Sequence, residues 1–250
     1  MENVKNLDQL PNPVQKVFYP FLEGILDLHQ KNIRSVIIYG SATGQNYSSR
    51  TSDINSAVIF KELRFDTFQK TLTLVRRYRR KRVSAPLFLT HEYILSSLDV
   101  FPIEFLEMKE NHILLYGEDL LNSLNIQGEH IRLFCEQQIK GKLIRIRQAY
   151  LDVGQHPRGM EALLKEALGT LIPVFRNLLR LTSRALPQDK EQVLKDVCVC
   201  FGLDAEVFLT IYRDKHNDDR IGNQAVEVYL ERFIEQLGNL SNKIDRLGQV

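Results

Sequence analysis

The sequence predicts an α+β protein in two parts. A mixed sheet with flanking helices is expected over residues 1–125, and an all-α helical bundle over 126–250. Two observations carry this reading. Short β-branched runs interleave with helical periodicity up to about residue 120. Beyond Gly128 strand signals vanish, and long amphipathic stretches follow one another. The chain has 250 residues, 44% hydrophobic, enough for one large core or two smaller ones.

Taken in order, Asn12 is placed to cap a helix with Pro13 at its first position. Val14, Val17, Phe18, Phe21, Leu22, Ile25 and Leu26 then recur at helical spacing to about His29. Ser35 to Tyr39 is a short β-branched run that stops at Gly40, and Ile54 to Phe60 is a second strand. Phe65 to about Arg80 reads as a helix with Phe65, Phe68, Leu72 and Val75 as its apolar stripe. Thr90 can cap a short helix through Ser97. Val100 to Met108 and His112 to Tyr116 read as two more strands. On these residues alone the first half is α/β or α+β.

The second half is expected to hold helices at about 129–153, 157–183, 188–200, 204–215 and 223–247. Breaks fall at Gly154 to Pro157, Leu186-Pro187 and Gly202 to Asp204. Pro173 should kink or split the second helix, because it lacks a donor and crowds the preceding turn. The boundary between the parts is expected between Asn122 and Glu129.

Several function classes recede on composition. Lysine and arginine total 33 against 31 acidic residues, a net charge of +2. The balance holds in both halves, 15 basic to 14 acidic in 1–125 and 18 to 17 in 126–250. Nucleic acid is therefore not an expected partner. No apolar run is long enough to span a bilayer, so no membrane is expected, and the polar start Met1 to Pro13 lacks a secretory pattern. The reading is cytoplasmic. Cys135, Cys198 and Cys200 are too few and too unevenly placed for a disulfide framework or a zinc knuckle, and Cys198 and Cys200 read as core or near-core thiols. The six histidines include no pair four apart, so a zinc site is not expected.

Chemistry concentrates in Val36 to Phe60. An apolar strand ends in Gly40-Ser41, a loop of small polar residues follows, and Ser52-Asp53-Ile54-Asn55 leads into the next strand. Glycine lets the backbone approach a phosphate, and serine adds a hydroxyl donor. Asp53 and Asn55 are two apart, so on a strand they share a face. A carboxylate and an amide oxygen there can hold Mg²⁺ against a triphosphate.

With these residues the chain resembles the polymerase-beta-type nucleotidyltransferase superfamily, whose signature is a strand, Gly-Ser, a loop, then Ser-Asp-x-Asp. The resemblance covers residues 33–120 in its order of elements. It implies that Gly40, Ser41 and Ser52 hold the nucleotide phosphates and that Asp53 and Asn55 bind metal. It also implies a third carboxylate on a neighbouring strand. Asp99, Glu104 and Glu107 are the candidates. Glu104 is preferred because it sits inside an apolar run, where an unpaired carboxylate is costly; its alternative is the solvent face of an edge strand.

Two departures stand out. Asn55 occupies a position that active relatives give to aspartate, which removes one negative charge from the metal site. Thr43 stands near where many relatives place arginine. Two functions stay open. One is transfer of a nucleoside monophosphate from an NTP, ATP foremost, to a hydroxyl of a small molecule or protein, with Mg²⁺ as cofactor. The other is a catalytically degenerate nucleotide-binding or protein-interaction module. The helical half would supply an acceptor pocket in the first case, as in the aminoglycoside and minimal nucleotidyltransferases. A homo-oligomer is compatible with both.

Two basic clusters weigh less. Arg76 to Arg82 holds six cations and reads as the solvated end of a helix, where cations complement the dipole; contact with triphosphate or RNA is the alternative. Lys140, Lys142, Arg145 and Arg147 with Tyr150 read as a solvated helix face. Arg213 to His216 is spaced too closely for a ribonuclease-type Arg…His pair.

Overall fold

Strand formation in the first half follows the β-branched runs. In the computed structural model, residues 4–44, 47–49, 51–182, 186–187, 189–216 and 220–247 are described. Gln45, Asn46 and Arg50 of the polar loop, and Ser183 and Gln188 at expected helix ends, lie outside them. The chain divides into two compact units, Met1–Ile126 and Gln127–Val250.

The first unit holds a four-stranded mixed sheet: β1 (Ile33–Tyr39), β2 (Asn55–Phe60), β3 (Leu87–Thr90) and β4 (His112–Gly117). The spatial order is β3-β2-β1-β4. β1 pairs antiparallel with β2 and β4, and β2 pairs parallel with β3. Four helices accompany it: α1 (Asn12–His29), α2 (Phe65–Arg79), α3 (His91–Ser96) and α4 (Pro102–Glu110).

Both faces of the sheet are covered. Val36, Ile38, Val58, Phe60 and Leu115 pack on one face with Val14, Phe18, Phe21, Leu22 and Ile25 of α1. On the other, Ile37, Ala57 and Ile59 meet Ile94 of α3, Phe105 and Met108 of α4, and Leu120, Leu121 and Leu124. The mixed sheet with flanking helices, followed by an all-helical unit, agrees with the fold class read from the sequence.

Four local features differ from the sequence reading or add to it. Residues 102–110 form helix α4 rather than a strand. Pro102 fixes a helical φ in the first turn, and Pro102, Phe105 and Met108, three apart, face the core. The stripe on α2 is the second. Phe65, Phe68 and Leu72 are exposed, while Thr67, Thr71 and Tyr78 face inward. The Tyr78 ring packs 5.4 Å from that of Phe21. His29 Nε2 lies 2.9 Å from Thr71 Oγ1, so a hydrogen bond ties α1 to α2. Third, the Pro11 carbonyl accepts from Val14 and Gln15, so Asn12 is inside α1 and does not cap it. Fourth, β3 is a strand that the sequence did not signal.

The second unit contains α5 (Gly128–Val153), α6 (Pro157–Arg180), α7 (Lys190–Phe201), α8 (Ala205–Lys215) and α9 (Val226–Arg246). α6 runs through Pro173 without splitting, and Asn177 Nδ2 donates to the Pro173 carbonyl at 3.0 Å. Phe175, Phe208 and Phe233 stack edge to face at 5.8 and 5.6 Å, joining α6, α8 and α9. Burial pushes the thiols of Cys135 and Cys198 up to about 12, as suits core thiols. Among the described residues no helix is long and apolar enough to cross a membrane.

Candidate functional site

The turn after β1 is built by Gly40. Its φ of +75° is one that side-chain-bearing residues rarely adopt, and it lets the chain fold at once into a 3₁₀ turn over Gly40–Thr43. The Thr43 hydroxyl donates to the Gly40 carbonyl at 2.8 Å, which closes this turn. Gly40 N–H donates to the Asn111 carbonyl at 3.2 Å, which anchors the turn to the start of β4. Ser41 is exposed, and its hydroxyl has no partner among the described residues.

Register brings Asn55 to this turn. Tyr39 pairs with Asn55 on one side and His112 on the other, so the three side chains share a face at one end of the sheet. A Cβ placed on Gly40 would lie 3.8 Å from Asn55 Nδ2. Tyr39 is half-buried there, and that burial raises its phenol above the ordinary value.

The loop leading into β2 is closed by Ser52. Its hydroxyl oxygen accepts from Ser48 N–H at 3.1 Å, and its own N–H donates to the Ser48 carbonyl at 2.8 Å. Asp53 follows, exposed, with Oδ1 3.5 Å from Arg82 Nη1. Backbone bonds set that pair. Ile54 N–H donates to the Arg82 carbonyl at 2.8 Å, and Ser84 N–H to the Ile54 carbonyl at 3.0 Å. Arg82 itself sits at a φ of +61°.

Gly40, Ser41 and Asn55 thus meet at one end of the β1–β2 pair, with Asp53 just beyond. Glu104 does not join them. It projects to solvent from the first turn of α4, with no hydrogen bond or ion pair to Asp53 or Asn55. The strand expected to present it is not there.

Sequence reasoning missed two features. Arg82 was counted in the basic run as solvated, yet from a φ of +61° its guanidinium lies 3.5 Å from Asp53. The other is His112, whose ring nitrogens face the Met108 carbonyl at 2.9 Å and Asp119 Oδ1 at 3.1 Å. Asp119 also accepts from Asn122 N–H and Nδ2, so this cluster pins the segment after β4. No residue spacing signals either.

The donor set does not fit a pair of magnesium ions. Asp53 supplies one carboxylate and is paired with a guanidinium, Asn55 is a neutral amide, and Glu104 is elsewhere. Among the described residues no group of three or more histidine, cysteine or acidic side chains converges as a metal site.

No family model matches the sequence, and no curated protein does. Among solved structures the chain is similar to the spectinomycin adenyltransferase AAD(9) from Enterococcus faecialis, determined with ATP and spectinomycin. The identity is 15%, the alignment covers 91% of this chain and 97% of that one, and the TM-score is 0.49.

Proposed function

We propose that the first unit is a nucleotidyltransferase-like domain that binds a nucleoside triphosphate, ATP foremost, at the turn after β1. The observation that carries this is the meeting of Gly40-Ser41 with the head of β2. A glycine without a side chain lets a phosphate approach the turn closely, and with the Gly40 N–H held by the Asn111 carbonyl it is the exposed Ser41 hydroxyl that supplies the donor. Arg82 offsets the Asp53 carboxylate, which lowers the repulsion that a triphosphate would meet there without metal. With Asn55 in place of a second carboxylate, the domain is a nucleotide-binding module with a reduced metal site.

A second reading keeps the transfer of a nucleoside monophosphate to a hydroxyl of a small molecule or protein. One observation favours it: Asp53 still presents an exposed carboxylate just ahead of β2. The two readings part in calorimetry with ATP, GTP, CTP and UTP, each with and without Mg²⁺. Binding that persists without Mg²⁺ and weakens in Ser41→Ala supports the module. Binding that needs Mg²⁺ and is abolished by Asp53→Ala supports transfer. Absence of binding to all four nucleotides overturns both.

A further inference from the structure

Helix α2 turns the wrong face outward for a monomer. Phe65, Phe68 and Leu72 are 75%, 42% and 49% exposed, although their spacing is that of a buried stripe. The stripe does not stop at Leu72. Arg76 and Arg79 continue it, exposed and without a carboxylate partner among the described residues. Positions 65, 68, 72, 76 and 79 fall along one side of a helix of 3.6 residues per turn. The apolar end is firmly held: the Phe65 and Phe68 ring centroids are 6.3 Å apart, and Phe68 lies 5.5 Å from Phe88 of edge strand β3. Phe88 in turn meets the core ring of Phe60 at 4.9 Å. These are braced rings on a surface, and burying them releases apolar area from water.

The order of residues along the stripe identifies what covers it. Phenylalanines occupy the N-terminal part, arginines the C-terminal part, and Leu72 the middle. The numbering is symmetric about Leu72: 65 and 79 are each seven residues away, 68 and 76 each four. We infer that the occupant is a second copy of this chain, with two α2 helices packed antiparallel about a two-fold axis at Leu72. Such an isologous contact sets Phe65 against the partner copy's arginine at position 79, and Phe68 against that at position 76. Each guanidinium then lies over an aromatic face, and Leu72 meets its own counterpart. A parallel pairing would stack arginine on arginine and is disfavoured by charge. One helix from each copy makes a small interface, so association is weak and concentration-dependent. The inference is independent of the nucleotide reading, since Gly40, Ser41 and Asp53 take no part in it.

Sedimentation equilibrium on the full chain across a wide concentration range tests the pairing. The weight-average mass should rise from the 29.0 kDa of one chain towards twice that value. Leu72→Asp places two like charges on the axis and should weaken association at least about tenfold. Leu72 is exposed, so the variant should keep its circular dichroism and thermal midpoint. Leu72→Cys tests the register: mild oxidation should link two chains through position 72, whereas Lys61→Cys should not link them. Cys135 and Cys198 are buried and Cys200 is partly exposed, so the oxidation is run in a Cys200→Ser background with the unmodified chain as reference. A constant mass of one chain at every concentration overturns the proposal. So does a dimer that Leu72→Asp leaves intact, or one that forms only when nucleic acid bridges the arginines.

Discussion

Arg82 reaches Asp53 across 3.5 Å, although 29 positions separate them in the chain. The backbone makes this contact possible: the residues flanking β2 and those following α2 hydrogen-bond side by side through Ile54, Arg82 and Ser84. The result is a carboxylate paired with a cation just ahead of β2. Both groups are exposed, so the pair itself adds little to stability.

Asn55→Asp restores the second acidic group at the head of β2. Nucleotide binding in this variant should become magnesium-dependent, whereas the unmodified chain should bind with little response to Mg²⁺. Calorimetry of ATP binding at fixed ionic strength, with and without Mg²⁺, reads the difference. An unchanged magnesium response in Asn55→Asp would show that residue 55 does not limit the metal site.

Gly40→Ala forces a β-carbon into a left-handed conformation, at a cost of about 1–2 kcal/mol. The β-carbon itself has room, since its nearest neighbour is Asn55 Nδ2 at 3.8 Å. The loss is therefore conformational, and the urea midpoint should fall with an unchanged m-value. Nucleotide affinity should fall with it as the turn shifts.

Burial, helped by nearby Lys70, lowers the pKa of His29 below its ordinary value of about 6.5. The folded state then resists protonation, while the unfolded chain takes up a proton at about 6.5. The contribution of neutral His29 is complete above that pH and is lost as the pH falls towards the lower folded-state value. Urea unfolding between pH 7.5 and 5.5 should show this decline, and His29→Gln should flatten it. An equal decline in the variant would place the titrating group elsewhere.

In the helical unit, Glu136 is nearly buried and accepts from Arg132 Nη1 at 2.8 Å and from Lys140. The Lys140 hydrogen bond is the largest influence holding its carboxyl below the ordinary range, with Arg132 adding to it. Glu136→Ala leaves the half-buried Arg132 without its partner and should cost about 1–3 kcal/mol in unfolding free energy. Glu136→Gln, which keeps one acceptor, should cost less.

Legibility followed the length of the signal. The five helices of the second unit repeat an apolar face over many turns and match their expected bounds closely. Strands β1, β2 and β4 were readable as β-branched or apolar runs. The stretch Val100 to Met108 misled because Phe101, Ile103 and Phe105 alternate like a strand, while Pro102, Phe105 and Met108 repeat like a helix. Tertiary context chose the helix, and Glu104 went with it. On α2, the Phe65 stripe was read as apolar, and Phe65, Phe68 and Leu72 lie exposed because Tyr78 and the His29–Thr71 bond fix the opposite face inward. Gly40, Ser41, Asp53 and Asn55 were visible because they lie within one loop and its flanking strands. Arg82 was not, because its contact depends on a left-handed backbone that no arginine announces.

The most direct measurement compares ATP binding by two charge reversals in the same basic run, Arg82→Glu and Arg80→Glu. Both alter net charge equally, and of the two only Arg82 pairs with Asp53. Calorimetry should show affinity falling about tenfold or more in Arg82→Glu, with Arg80→Glu close to the unmodified chain. Equal losses in both would reduce the effect to general electrostatics, and unchanged affinity in Arg82→Glu would contradict a nucleotide site at this end of the sheet.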